Sequence, residues 1–466
     1  MVFSSITFLF YFLPAVLVLY FLAPCRMRNL VLLAGSLFFY AWGEPVYVIL
    51  MIVSIILNYL AGIIIYKRSG KAFLAAGVCV NILILGFFKY ADFLIETVNS
   101  VFSADFSAMN LPLPIGISFY TFQAMSYLVD LYRGDVRLQR NIIDFGTYIA
   151  LFPQLIAGPI VRLKSIEDRL HNREHSWEMF GSGVKRFTAG LAKKVLIANN
   201  MGIIWDSVSA GDMSSSPVFT AWIGIAAFTM QIYFDFSGYS DMAIGLGKMF
   251  GFEFPENFRH PYMSVSITEF WRRWHISLGT WFKEYVYVPL GGNRKGTARQ
   301  IFNILAVWAL TGLWHGASWN FALWGLYFAV ILIAEKLFLL NVLERIPSVF
   351  SRIYTMVIVM ISWVIFSIED IGGIVSYIGA MFGFTDGGLW DSASVYLLSN
   401  NLIIFAAAVI GCTSLPAHLW GKLMRKIEYK YVLKGLAEGT GTGLILLLST
   451  AFIIASTYNP FLYFRF

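Results

Sequence analysis

Thr311-Gly312-Leu313-Trp314-His315-Gly316-Ala317-Ser318-Trp319-Asn320 sits inside residues 301–334, a stretch with no Asp, Glu, Lys or Arg. An apolar run of that length exceeds the roughly 20 residues a helix needs to cross the hydrocarbon core, so it reads as two consecutive crossings, 301–318 and 319–336. His315 is the run's one histidine. Imidazole can take and return a proton near neutral pH, and polar groups at membrane depth are costly enough that they usually line a pathway or an active site. His315 is therefore the first candidate for chemistry. The competing role is a hydrogen bond to a neighbouring helix, and Thr311 and Gly312, one turn earlier, are small enough to permit either.

The rest of the chain fits the same setting. Hydrophobic residues make up 58% of its 466 positions and charged ones only 13%, a balance that excludes a soluble domain of this size. Apolar segments recur at 6–23, 28–43, 46–66, 72–90, 113–132, 187–206, 218–235, 353–368, 401–418 and 441–457 as well. The expectation is an all-α polytopic integral membrane protein with about 10–12 transmembrane helices, built as a single membrane domain over residues 1–466. The first run has no basic residues before it and no small-residue cleavage site after it, so it reads as a transmembrane helix rather than a signal peptide. Lys and Arg gather at 26–28, 67–71, 133–140 and 162–194, whereas 91–112, 207–217 and 369–400 carry acids without Lys or Arg. The first set is expected to be cytoplasmic and the second outward, with the N-terminus. Residues 236–300 are too polar and too rich in Gly, Pro and Arg for one spanning helix and read as a cytoplasmic-side or re-entrant insertion.

The net charge of +7 follows from positive-inside loops and attraction to anionic membrane lipids, without nucleic acid as a partner. Cys25, Cys79 and Cys412 are too far apart for a disulfide framework or a zinc site, and no histidine pair has HExxH spacing, so no metal is expected. No Gly-rich phosphate loop of a soluble nucleotide-binding fold is present.

Within the insertion, Ser266 to Tyr287 reads as one amphipathic helix at the headgroup level, with Trp271, Trp274, Leu278 and Trp281 on one stripe and Arg272, Arg273, Lys283 and Glu284 away from it. His275 faces that stripe. Asp235 and Asp241 flank Ser237-Gly238-Tyr239 at the end of the span 218–235, where carboxylates require partners; they read as a salt bridge or helix cap rather than as catalysts. Gly291-Gly292-Asn293 reads as a tight turn. His171 and His175 read as solvated loop residues, His418 as a helix-end residue, and His260 as a residue that caps or packs its loop.

Two histidine segments, Trp271-Arg272-Arg273-Trp274-His275-Ile276-Ser277-Leu278 and Leu313-Trp314-His315-Gly316, resemble those of the membrane-bound O-acyltransferases, most closely the bacterial alginate O-acetylase-like branch. Met1-Val2-Phe3-Ser4-Ser5, Pro114-Ile115-Gly116-Ile117-Ser118-Phe119-Tyr120-Thr121-Phe122-Gln123 and Phe152-Pro153-Gln154-Leu155-Ile156-Ala157-Gly158-Pro159-Ile160 agree. So do Tyr233-Phe234-Asp235-Phe236-Ser237-Gly238-Tyr239-Ser240-Asp241, Pro255-Glu256-Asn257-Phe258, Val288-Pro289-Leu290-Gly291-Gly292-Asn293-Arg294 and Asn459-Pro460-Phe461-Leu462-Tyr463-Phe464-Arg465-Phe466. The resemblance covers essentially the whole chain and is weakest over 340–440.

The resemblance implies a ring of transmembrane helices around a thinned centre, where a cytoplasmic-side insertion meets a cavity from the outer face and both histidines lie near the junction. It implies catalysis by His315 and His275. Acetyl transfer from a thioester to a hydroxyl needs a base near the hydroxyl proton, which His315 supplies as general base or, alternatively, as a transient acyl carrier. Trp271 and Trp274 would exclude water. Arg272, Arg273 and Arg294 would hold the phosphates of acetyl-CoA or another acyl thioester, which is a donor substrate and not a bound cofactor; lipid phosphates are the other ligands these cations suit. Such proteins work with an extracytoplasmic SGNH-type acetyltransferase or esterase partner, anchored here by an outward C-terminal tail, and with a polysaccharide acceptor such as alginate or cellulose. The alternatives are a D-alanyl transferase for teichoic acids and, from another class, a proton-coupled transporter or flippase; the latter calls for inverted repeats, which the sequence does not display. The expected location is the bacterial cell membrane, as a multi-pass protein.

Overall fold

The computed structural model describes residues 1–156, 158–426, 431–455 and 461–462. Among them all regular structure is helical. Among the described residues, seven helices are long and apolar enough to cross a bilayer: Tyr47–Arg68, Lys71–Phe102, Val218–Met249, Trp319–Leu343, Ser348–Ser367, Ser392–Gly411 and Val432–Ala455. Phe8–Leu22 and Ile371–Met381 are shorter apolar helices. Other expected crossings form helices at Arg28–Gly43, Ile117–Arg133, Asn199–Ser209 and Thr297–His315 that fall short in length or apolarity.

The helix expected to end at 235 continues to Met249. Its two carboxylates do not terminate it because both have cationic partners: Lys194 Nζ lies 2.5 Å from Asp235, and Arg186 lies 2.6 Å from Asp241 and from Glu256. Pairing removes the penalty that made these positions read as an end, and the polar insertion begins after Met249 rather than at 236.

The chain forms two compact units. The first comprises residues 1–187 and 239–256. Phenylalanines build its core: the Phe8 ring lies 4.8 Å from Phe3, 5.6 Å from Phe12 and 5.8 Å from Phe39. Its spanning helices Tyr47–Arg68 and Lys71–Phe102 are joined by a reciprocal amide pair, Asn58 Nδ2 donating to Asn81 Oδ1 (3.1 Å) and Asn81 Nδ2 to Asn58 Oδ1 (2.7 Å). Each amide satisfies the other where water cannot.

The second unit comprises residues 188–238 and 257–466, and its centre is the hairpin of Thr297–His315 and Trp319–Ala334. These helices meet backbone to backbone. A Cβ on Gly312 would lie 2.5 Å from the Phe321 carbonyl oxygen, and one on Gly325 would lie 2.5 Å from that of Trp308. Small residues at the crossing allow this approach, and it fixes the height of His315, three residues beyond Gly312. The turn is tied down by buried Asn320, whose amide donates to the Ile365 and Phe366 carbonyls at 3.2 Å each. Gly325→Ala is expected to force the helices apart at a cost of about 1–3 kcal/mol, read as a lower melting temperature in detergent. Wild-type melting would mean that the crossing has slack.

Candidate active site

The segment around His275 is not one amphipathic helix. It is two short helices, Ile267–Arg273 and Ile276–Phe282, broken at Trp274 (φ −102°, ψ 130°) and His275 (φ 45°, ψ 52°). The reason is tertiary. The Ile276 amide donates to the Asn257 carbonyl at 3.0 Å and the Arg259 amide to the Arg273 carbonyl at 2.9 Å, so residues 257–259 take over backbone groups that a continuous helix would pair internally. Trp274, Leu278 and Trp281 are all buried, and the segment is packed inside the protein instead of lying on a membrane surface. Its first helix is capped twice. Ser266 Oγ accepts from the Glu269 amide (3.1 Å), and the buried Glu335 carboxylate accepts from the Ile267 and Thr268 amides at 2.7 Å each, a placement that suits the positive end of a helix.

A left-handed backbone at a non-glycine residue costs about 1–3 kcal/mol and persists where the surroundings over-determine it. At His275 the surroundings are Asn257 Oδ1, 3.2 Å from Nδ1, the Phe236 ring at 4.7 Å and the Trp314 ring at 5.8 Å. Burial pushes the imidazole pKa down to about 3, so the ring is neutral at physiological pH.

Two cavities adjoin the histidines. The larger, about 400 Å³, includes His275 in its wall together with Trp271, Ile304 and Trp308 and carries three cations, Arg272, Lys283 and Lys336. The Trp271 indole packs on Trp308 (4.7 Å) and Phe328 (4.9 Å), and its Nε1 is buried without a hydrogen-bond partner. The smaller cavity, about 20 Å³, is bounded by His315, Asp235, Phe236, Trp274, Trp324 and Phe461, enough for one water-sized group. His315 is itself buried, caged by the rings of Trp324 (4.9 Å), Trp314 (5.0 Å) and Phe366 (5.3 Å). Trp314 touches both imidazoles.

The structure thus brings His275, Trp271 and Arg272 to the chamber and His315 and Trp274 to the small cavity. Two expected donor contacts are not in either wall. Arg273 turns back to Glu269, 2.5 Å away one turn earlier on its own helix, because consecutive helical residues point about 100° apart and the face that carries Arg272 to the chamber carries Arg273 to the side. Arg294 is exposed in the turn made by Gly291 (φ 109°) and Gly292 (φ 57°). Lys283, Lys336 and Asn257 were not singled out as site residues; a cation aligned three or four residues from an apolar stripe is the only sequence signal Lys283 offers. Of the C-terminal segment 459–466, the structure describes only Phe461 and Leu462, and these are not outward. Both are buried, and the Leu462 amide donates to Asp235 Oδ2 at 2.7 Å. A role for the other tail residues in anchoring a partner lies outside the described residues.

The remaining histidines lie elsewhere. His260 packs its loop through Nδ1, 3.3 Å from the Cys412 carbonyl, and His418 lies in the helix Leu415–Lys426. His171 ends a helix 3.6 Å from Asp144, and His175 Nε2 lies 3.2 Å from the Tyr20 hydroxyl, a contact that its reading as a solvated loop residue did not anticipate.

Comparison with known proteins gives one matching family model, that of the membrane-bound O-acyltransferases, over residues 136–371. A probable alginate O-acetylase of Pseudomonas putida is 40% identical over the full length of both chains. A peptidoglycan O-acetyltransferase of Helicobacter pylori is 30% identical over all of this chain and 98% of its own. A teichoic acid D-alanyltransferase of Bacillus subtilis is 26% identical over 49% of this chain and 60% of its own.

Proposed function

This chain belongs to the membrane-bound O-acyltransferase family and is a multi-pass bacterial membrane O-acyltransferase, and from that premise we propose that it moves acetyl groups from a cytoplasmic acyl thioester towards an extracytoplasmic polysaccharide. The observation that carries the reading is the chamber: an apolar, Trp-lined neck with Arg272, Lys283 and Lys336 around it and His275 in its wall. A thioester on a long polar arm ending in phosphates, as in acetyl-CoA, has matching parts. The cations hold phosphate, the unpaired Trp271 Nε1 donates to a carbonyl of the arm, and the indoles keep water from the thioester. Lipid phosphate is the rival ligand for these cations.

In this reading His315 acts on the acceptor side. The acceptor hydroxyl oxygen bonds to the acetyl carbon, the carbon–sulfur bond breaks, and the hydroxyl proton passes through the imidazole to the departing thiolate. If His315 instead carries the acetyl group, an imidazole nitrogen–carbon bond forms as the carbon–sulfur bond breaks, and in a second step the acceptor oxygen–carbon bond forms as that nitrogen–carbon bond breaks. Acetyl rather than D-alanyl is supported by full-length likeness to proteins named for O-acetylation, against a partial match to the D-alanyltransferase. An SGNH-type partner outside the membrane would complete delivery to sugar.

The test uses the intact protein in membrane vesicles with radiolabelled acetyl-CoA. Arg272→Glu combined with Lys336→Glu is expected to raise the apparent KM for the donor about 10–100-fold, the worth of charge-assisted contacts, with little change in kcat. An unchanged KM would assign the cations to lipid. Label recovered from the polymer as anything but an acetyl ester would remove the acetyl reading.

A further inference from the structure

Asn257 lies on the chain that crosses the break at His275, and its amide orientation is fixed by neighbours of unambiguous chemistry. The Ser277 backbone N–H, which can only donate, lies 3.2 Å from Asn257 Oδ1, and the Ser277 hydroxyl donates to the same oxygen at 2.9 Å. The oxygen therefore faces this cluster. His275 Nδ1 lies 3.2 Å from that oxygen, which accepts only, so Nδ1 must carry the proton. The second ring nitrogen, Nε2, then bears the lone pair, and it is buried with no hydrogen-bond partner. A buried lone pair without a protein partner is costly, and the backbone there is left-handed as well. Both costs fall on one residue bordering the chamber.

We propose that Asn257 is a positioning residue that fixes His275 in the Nδ1–H tautomer, so that Nε2 can receive the hydroxyl proton released through His315 and pass it to the departing thiolate. This rests on the reading of His275 as part of the active site. The titratable and charged groups that share the chamber wall with His275 are Arg272, Lys283, Tyr287 and Lys336; Arg273 and Glu269 on the preceding helix pair with each other, and Asp235 and His315 line the small cavity. None of them accepts from Nδ1, and the neutral amide of Asn257 leaves the ring uncharged.

The test compares three variants in vesicles with radiolabelled acetyl-CoA across about pH 5 to 8. Asn257→Ala frees the tautomer and is expected to lower kcat about 10–100-fold, the range for partners that fix an imidazole, with the donor KM unchanged. Asn257→Asp keeps the acceptor and should restore turnover at the alkaline end. Its carboxylate beside Nδ1–H favours the imidazolium, so the acid-side fall in turnover should lie at higher pH than in the wild type, within about pH 5 to 7. A purely structural asparagine would give no such displacement. Wild-type kcat in Asn257→Ala, or an Asn257→Asp profile superimposed on the wild type, would overturn the proposal. If the alanine variant does not insert, the aspartate profile decides. Full activity in His275→Gln would instead remove the underlying reading of His275, a result distinguishable from failure of the Asn257 assignment.

Discussion

Replacing His315 by glutamine is expected to abolish polymer acetylation while the protein still inserts and purifies at the wild-type level. Glutamine is chosen because the ring sits in a cage of Trp314, Trp324 and Phe366. Truncation to alanine would open a void among those rings and confuse lost chemistry with lost packing. Glutamine keeps polarity and much of the volume but cannot take a proton near neutral pH. Loss of a general base costs about 10²–10⁴-fold; loss of an acyl carrier would leave no transfer. The two roles separate in a single-turnover experiment with donor and no acceptor, in which only an acyl carrier accumulates label on the protein. Near-normal acetyl content with the glutamine variant at wild-type abundance would sink the assignment and leave His315 a packing residue of the hairpin.

The burial of His315 within an apolar hairpin was legible, because a stretch without Asp, Glu, Lys or Arg has to be covered by lipid or protein. The hairpin that holds it was legible from hydropathy, and Gly312 stood out as small before its contact with the Phe321 carbonyl was known. The setting of His275 was not. Trp271, Trp274, Leu278 and Trp281 have spacings that fit one continuous helix, and nothing local announces the break between them. The break is made by Asn257, eighteen residues from His275, through hydrogen bonds that periodicity does not contain. Charges misled for a similar reason. Arg272 and Arg273 look alike in sequence, yet their helical phase puts one in the chamber wall and gives the other to Glu269 one turn back. Asp235 was rightly read as needing a partner, but Lys194 lay in a segment taken for a basic cytoplasmic loop, and only folding brings it within 2.5 Å.

That ion pair yields the second large effect. The Lys194 and Asp235 side chains are 6% and 2% exposed, so Asp235→Ala takes the carboxylate from beside a buried ammonium. Removing one partner of a buried pair typically costs about 3–5 kcal/mol, enough to lower the melting temperature sharply in detergent. Replacing both partners by apolar residues of similar size, Lys194→Met with Asp235→Leu, removes the charge imbalance and should recover most of that stability. Activity should not recover with it. Asp235 also accepts the Leu462 amide, and Phe461 and Leu462 wall the small cavity beside His315; no apolar side chain can replace that acceptor. The double variant is therefore expected to be stable and inserted but deficient in turnover, with its donor KM unchanged because the chamber wall does not include Asp235. A double variant with both stability and wild-type turnover would reduce the pair to packing. One that recovers neither would mean that the charges are held by more than each other, and that the wall of the small cavity depends on them both.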